Sequence, residues 1–285
     1  MINWSSIQLT IDDHINILLD RLKKEDFLDG FIVPKIKDYF IYIFSFFAFF
    51  SIVYLSLDTI FKKIWKNKHY LKLSNYGRAD WNSRIVAFTH AIIISPFCVS
   101  LVCKYGFPWN KTENDYNEQE IDLYYKAISI SLGYFLWDIF YSISDYKKGG
   151  IGFIIHGICA FIIYIFTFKN HVLGHYSMIY LNYEISTIFL NIYWTLDKLE
   201  LSGSALQMVV AVLLMITFFS VRVAFGTITL SRLLYDIIFQ RRVCSVYLCL
   251  YFFINILVMQ ALNFYWFYIM IQCKFNYFNI YNDLN

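Results

Sequence analysis

The sequence predicts an all-α protein that crosses a membrane about seven times, and three observations carry the prediction. Hydrophobic residues make up 59% of the 285 and charged residues only 16%, against roughly 45–50% and 25% in soluble domains. The mean hydropathy is +0.50, and it comes from separate apolar runs of about 18 residues or more, each able to cross about 30 Å of hydrocarbon as a helix. The linkers between the runs alternate in charge, first lysine-rich and then acidic, as loops on opposite sides of a membrane do.

The chain opens on residues 1–38, where Ile7, Ile11, Ile15, Leu18, Leu19 and Leu22 recur at near-helical spacing among charges. This pattern predicts an amphipathic helix over 6–28 lying on the membrane or on the helix bundle. Its acids and lysines interrupt the apolar core a cleavable signal peptide would need. Spans are then predicted at 39–61, 84–104, 127–145, 151–168, 172–196, 206–238 and 245–272, followed by a tail over 273–285.

Between the first two spans, Lys62, Lys63, Lys66, Lys68, Lys72, Arg78 and Arg84 face the single acid Asp80, so this loop is expected in the cytosol. The next loop carries Glu113, Asp115, Glu118, Glu120 and Asp122 and the sequon Asn110-Lys111-Thr112, as a lumenal loop would. The N-terminus is then lumenal and the tail cytosolic. Arg241 and Arg242 oppose this orientation, since it puts them in a lumenal loop.

The net charge of +3 resides in lysine clusters at helix ends, which gives no case for a nucleic-acid partner. The six cysteines lie in or beside apolar runs without metal-ligand spacing and read as buried free thiols. No metal and no bound cofactor is expected. There is no Ser-centred triad, phosphate loop or HExxH sequence, so hydrolase and nucleotide-driven transport chemistry have no support.

Ionisable groups inside a span cost roughly 2.5–3.5 kcal/mol each on insertion scales. Counting inward at about 1.5 Å per residue, His90, Asp138, His156 and Asn191 fall at similar levels on consecutive spans, where they could surround one cavity. Glu184 and Arg222 lie deeper and are placed to meet as carboxylate and guanidinium. Two readings stand for each group. The Glu184–Arg222 pair serves as structural glue between helices or as part of a site. His156 is either a hydrogen-bond bridge or a proton-moving base oriented by Asp138. Asn255, Gln260 and Asn263 read as helix-packing contacts.

Several strings resemble one family. They are Trp81-Asn82-Ser83-Arg84 with His90, Gly133-Tyr134-Phe135-Leu136-Trp137-Asp138, Gly152-Phe153-Ile154-Ile155-His156, and Glu184-Ile185-Ser186-Thr187 followed by Phe189, Asn191 and Trp194. In order and spacing they resemble the TLC-domain family, which groups translocating-chain-associating membrane proteins, ceramide-synthase Lag proteins and a ceroid-lipofuscinosis protein. The likeness is greatest to its fungal and TMEM-type members. The resemblance implies a six-helix TLC barrel over 84–272 around a central cavity, preceded by an extra helix and cytosolic basic loop over 39–83. It also implies the endoplasmic reticulum and a lipid partner, with Trp137 joining His90, Asp138, His156, Asn191, Glu184 and Arg222 at the cavity.

In the ceramide-synthase branch, a double histidine and a following His-Asp element carry acyl transfer from acyl-CoA. Here His156 precedes Gly157, and Leu181-Asn182-Tyr183-Glu184 stands where the His-Asp element would fall. The expectation is therefore a protein that binds, senses or moves a lipid in membrane-lipid homeostasis. One alternative is a lipid acyltransferase with acyl-CoA as co-substrate, in which His156 is general base and Asp138 orients it. A second is a cargo receptor or membrane-protein chaperone.

Overall fold

A computed structural model describes residues 13–17, 20, 33–111, 113–169, 171–240 and 245–283, and every regular element among them is helical. Six of the helices among the described residues are long and apolar enough to cross a membrane. The first, α1 (Phe40–Thr59), has a 3-10 turn before it and a π turn after it. It is followed by α2 (Asn75–Tyr105), α3 (Glu118–Ser144) and α4 (Ile151–Phe166).

The stretch read as the fifth span is two helices, α5 (His171–Tyr180) and α6 (Glu184–Lys198), joined by a 3-10 turn at Leu181–Tyr183. The fifth of the six long apolar helices is α7 (Ala205–Phe218) continued through a π turn at Phe219–Ala224 into α8 (Phe225–Tyr235). The last helix, α9, runs over Val246–Asp283, through most of the predicted tail.

Neighbouring helices follow the order α2, α3, α4, α9, α7–α8, α6 and back to α2, while α1 packs outside against α2 and α3. Helix α5 turns inward from this ring and touches α2, α3, α4 and α8. Every residue of α5 from Val172 to Tyr180 is buried. The outward faces of α1 and α7 carry exposed Ile41, Phe44, Ile52, Leu55, Met208 and Val212, the surface that hydrocarbon rather than water would cover.

Two helices begin earlier than their apolar runs. Ser74 accepts from the Gly77 amide and caps α2, so the polar residues from Asn75 onward are helical rather than loop. Asn117 accepts from the Glu120 amide at 2.9 Å and caps α3, with Glu118 and Glu120 in the first turn beside the positive helix end. Part of the predicted basic loop is thereby ordered. Tyr70 stacks on Phe61, Trp81 meets both edge-on, and the Tyr70 hydroxyl donates to Asp58 at 2.8 Å. Burial, then that hydrogen bond, pushes the Tyr70 phenol up to about 12.

Of the predicted amphipathic helix, residues 13–17 are helical and the His14 ring lies 5.1 Å from that of Phe239. The rest of it, apart from residue 20, lies outside the described residues, as do Thr112 of the sequon, Arg241 and Arg242. Cys98 and Cys249 are buried, as expected, Cys98 as a free thiol, but Cys103 is an exposed one. An apolar sequence position suits the lipid face as well as the interior.

The backbones of α3 and α1 approach closely at Gly133. A Cβ at Gly133 would lie 2.7 Å from both the Ile43 carbonyl oxygen and the Phe47 amide nitrogen. Backbone cannot step aside as a flexible side chain can, so Gly133→Leu is expected to cost about 1–3 kcal/mol. Thermal unfolding in detergent checks this, and an unchanged melting temperature would contradict the packing.

Candidate functional site

The break between α5 and α6 and the π turn between α7 and α8 face each other across the interior. Both are places where backbone carbonyls lose their helical partners, and inside a membrane such groups must be satisfied by protein. The side chains that satisfy them compose the site. Asn182 Nδ2 donates to the Ile179 carbonyl at 3.0 Å, drawing off an α5 carbonyl. The Tyr183 carbonyl accepts from Ser186 Oγ at 2.9 Å and from Arg222 Nε at 3.2 Å. On the other side, Gln260 Nε2 of α9 donates to the Arg222 carbonyl at 3.0 Å, within the π turn.

Arg222 is thus fixed from two directions. Its Nε also donates to Ser186 Oγ at 2.8 Å and its Nη2 to Thr187 Oγ1 at 2.9 Å, while Nη2 lies 3.7 Å from Glu184 Oε1. The guanidinium stands 5.2 Å from the Phe218 ring centroid and 5.7 Å from that of Tyr183, within cation–π range. The other carboxylate oxygen of Glu184 is 3.8 Å from His90 Nδ1. His90 is wholly buried, stacks on Tyr134 with ring centroids 4.0 Å apart, and its Nε2 is 3.1 Å from Ser131 Oγ. The centre is a row of Arg222, Glu184 and His90 drawn from three helices.

Gly226, one turn beyond Arg222, leaves space for this arrangement. A Cβ there would lie 2.2 Å from the Tyr183 hydroxyl and 2.6 Å from Gln260 Oε1, the two atoms of a 3.3 Å hydrogen bond.

A cavity enclosing about 500 Å³, counted to its open side, adjoins this row. Glu184 and Arg222 contribute charge to its wall, and Tyr164, Tyr180, Tyr183 and His156 contribute polar tips. The rest is apolar: Phe135, Ala160, Ile163, Leu181, Ile256 and Met259. An apolar chamber with a few placed polar groups is the usual form of a small-molecule site.

The residues singled out in the sequence separate here. His156, Glu184 and Arg222 line the cavity, while His90 joins the row behind it. His156 meets Trp266 and Phe135 edge-on, and its Nδ1 is buried without a hydrogen-bond partner. Asp138 lies against α4, its Oδ2 3.3 Å from where a Gly157 Cβ would stand. Trp137 stacks on Tyr141 and tilts against Tyr54, facing α1. Asn191 donates to the Thr187 carbonyl of its own helix at 3.0 Å. Neither Trp137, Asp138 nor Asn191 is among the cavity-lining residues.

A second buried polar group, not singled out in the sequence, closes the other end of the bundle. The Tyr116 hydroxyl lies 3.0 Å from His175 Nδ1, and His175 Nε2 is 3.0 Å from the Gly106 carbonyl, which ties α5 to the α2–α3 loop. Beside it, Lys111 and Tyr124 both bond the Glu120 carboxylate, itself almost wholly buried. Tyr176 donates to Asp236 at 2.7 Å. Asn117 three residues before Glu120 was a readable capping signal; the contacts of His175 and Asp236 are remote in sequence and left no local trace.

The TLC-domain family model matches residues 80–272. An uncharacterised TLC domain-containing protein of Schizosaccharomyces pombe is 28% identical over 241 residues, covering 84% of this chain and 80% of that one. TLC domain-containing protein 4-B of Danio rerio is 28% identical over 162 residues, 54% of this chain and 58% of the relative. For human TLC domain-containing protein 4 the figures are 28% over 155 residues, 53% and 57%. No solved structure matches. The matched segment runs from just before Trp81 through the end of the apolar part of α9 and contains every residue of the cavity and of its charged row, and on that match the chain belongs to the TLC-domain family.

Proposed function

We propose that this chain binds a membrane lipid in the cavity beside Glu184 and Arg222, and that by sensing or moving that lipid it contributes to membrane-lipid homeostasis. The observation that carries the reading is the cavity itself, apolar along most of its wall and polar where two interrupted helices meet. Membrane transporters place their substrates at such discontinuous helices, and π turns occur often at functional sites. The family supports the endoplasmic reticulum as its location. The lysine-rich α1–α2 connection supports a cytosolic placement of that loop, with the N-terminus lumenal and the C-terminus cytosolic.

The acyltransferase reading has less behind it. A general base needs its imidazole oriented by a partner, and the buried Nδ1 of His156 has none. Mass spectrometry of lipids retained by gently purified protein tests both readings, before and after incubation with acyl-CoA and acceptor lipids. The expected result is one enriched lipid class, no new acylated product, and at least a several-fold loss of that lipid in His156→Ala. A new acylated lipid whose formation needs His156 would overturn the binder in favour of an enzyme. No retained lipid at all would count against both and favour a receptor for protein cargo.

A further inference from the structure

We infer that the ligand of this cavity is a single-chain lipid whose head is uncharged and carries hydroxyl or amide groups. The inference rests on the lipid-binding reading and adds to it the class of lipid. Three features point to that class.

The first is charge. Arg222 and Glu184 already pair at 3.7 Å, and Arg222 spends further donors on Tyr183, Ser186 and Thr187. A charged head of either sign would add an uncompensated charge to a buried, balanced pair, which is costly in a low dielectric. The second is unused hydrogen-bonding capacity. The Tyr180 hydroxyl and His156 Nδ1 are both buried, both without a protein partner, and both on residues that line this cavity. Tyr180 is only 6% exposed. A ligand that were hydrocarbon throughout would leave both groups unsatisfied, whereas hydroxyl and amide groups donate and accept at once. The third is size. Even counted out to the open side the space is no more than about 500 Å³, which leaves room for one acyl chain at most and excludes the two chains of a phospholipid.

The test uses full-length protein in nanodiscs of diacyl phosphatidylcholine and measures saturable binding of labelled 1-oleoylglycerol, oleate and oleoyl-lysophosphatidate. The expected order places 1-oleoylglycerol first. Tyr180→Phe is expected to weaken its binding about tenfold while the melting temperature is retained. His156→Ala, on a different helix, is expected to do the same and keeps the test decisive if Tyr180→Phe does not fold. Equal or tighter binding of oleate or lysophosphatidate would overturn the uncharged head and leave lipid binding standing. Retention of a diacyl lipid alone would overturn the single chain. Unchanged 1-oleoylglycerol binding in both variants would overturn the role of the two unpartnered groups. Failure of the purified protein to hold any lipid would overturn the lipid-binding reading itself.

Discussion

Arg222→Met is expected to destabilise the protein by about 3 kcal/mol, because it strands the buried carboxylate of Glu184. Among the described residues the guanidinium is the only Arg or Lys group shown beside that carboxylate, and His90 Nδ1, at 3.8 Å, is too far for a hydrogen bond. The same substitution removes the donors to the Tyr183 carbonyl, Ser186 Oγ and Thr187 Oγ1, which hold the break between α5 and α6 together. In a Glu184→Gln background the stranded charge is gone, so Arg222→Met should cost less there, by at least about 1 kcal/mol, as interacting pairs do in double-mutant cycles. Arg222→Lys keeps the charge but not the fork that reaches three acceptors, and is expected to fall between. Unfolding in detergent followed by size-exclusion chromatography reads all four variants; strictly additive costs would contradict the coupling.

Lys111→Met is the other substitution with a large expected cost, about 2–3 kcal/mol, although Lys111 lies in a loop between α2 and α3. Loop lysines usually pair with exposed acids and contribute little. Here the partner is Glu120, 1% exposed, in the first turn of α3 and bonded also by Tyr124. Losing the ammonium leaves a buried carboxylate. Glu120→Gln removes the charge together with the need for a counter-ion and is expected to be milder. Since the carboxylate is buried, the stability difference between wild type and Lys111→Met should change little between ~0.1 and ~1 M salt, conditions that screen an exposed pair almost completely. Unfolding at the two salt concentrations decides the matter, and a difference that vanishes at high salt would show that the pair is an ordinary surface contact.

The helical membrane fold was legible from composition and apolar runs alone, and so was the meeting of Glu184 with Arg222, because both depths were counted from helix ends that the structure keeps. His90 stands farther along its helix than its apolar run alone indicates, for an identifiable reason. Counted from the apolar run, it stands near the membrane boundary; counted from Asn75, where Ser74 caps α2, it is about 22 Å along the helix. Glu184 is about 21 Å from Lys198 by the same rise, so the two belong to one level. Asp138 is about 9 Å from the end of α3 at Ser144, which separates it from His90.

Depth also says nothing about direction around a helix, and that is why Trp137 and Asn191 could be assigned to a cavity they do not line. Trp137 faces α1, a helix outside the ring. The inward turn of α5 was hidden for a different reason. Its residues are apolar and aromatic enough to continue a span, and the break depends on Asn182, Ser186 and Arg222 satisfying carbonyls, the last from a helix remote in sequence.

The most direct test is to label the protein in cells with a photoactivatable single-chain lipid and map the cross-linked peptides. Occupation of the cavity predicts labels on α4 between His156 and Tyr164 and on α9 around Ile256 and Met259, reduced in Tyr180→Phe. Labels confined to the outward faces of α1 and α7, at residues such as Ile41, Leu55, Met208 and Val212, would mean that the lipid is only solvent for this protein and not its ligand.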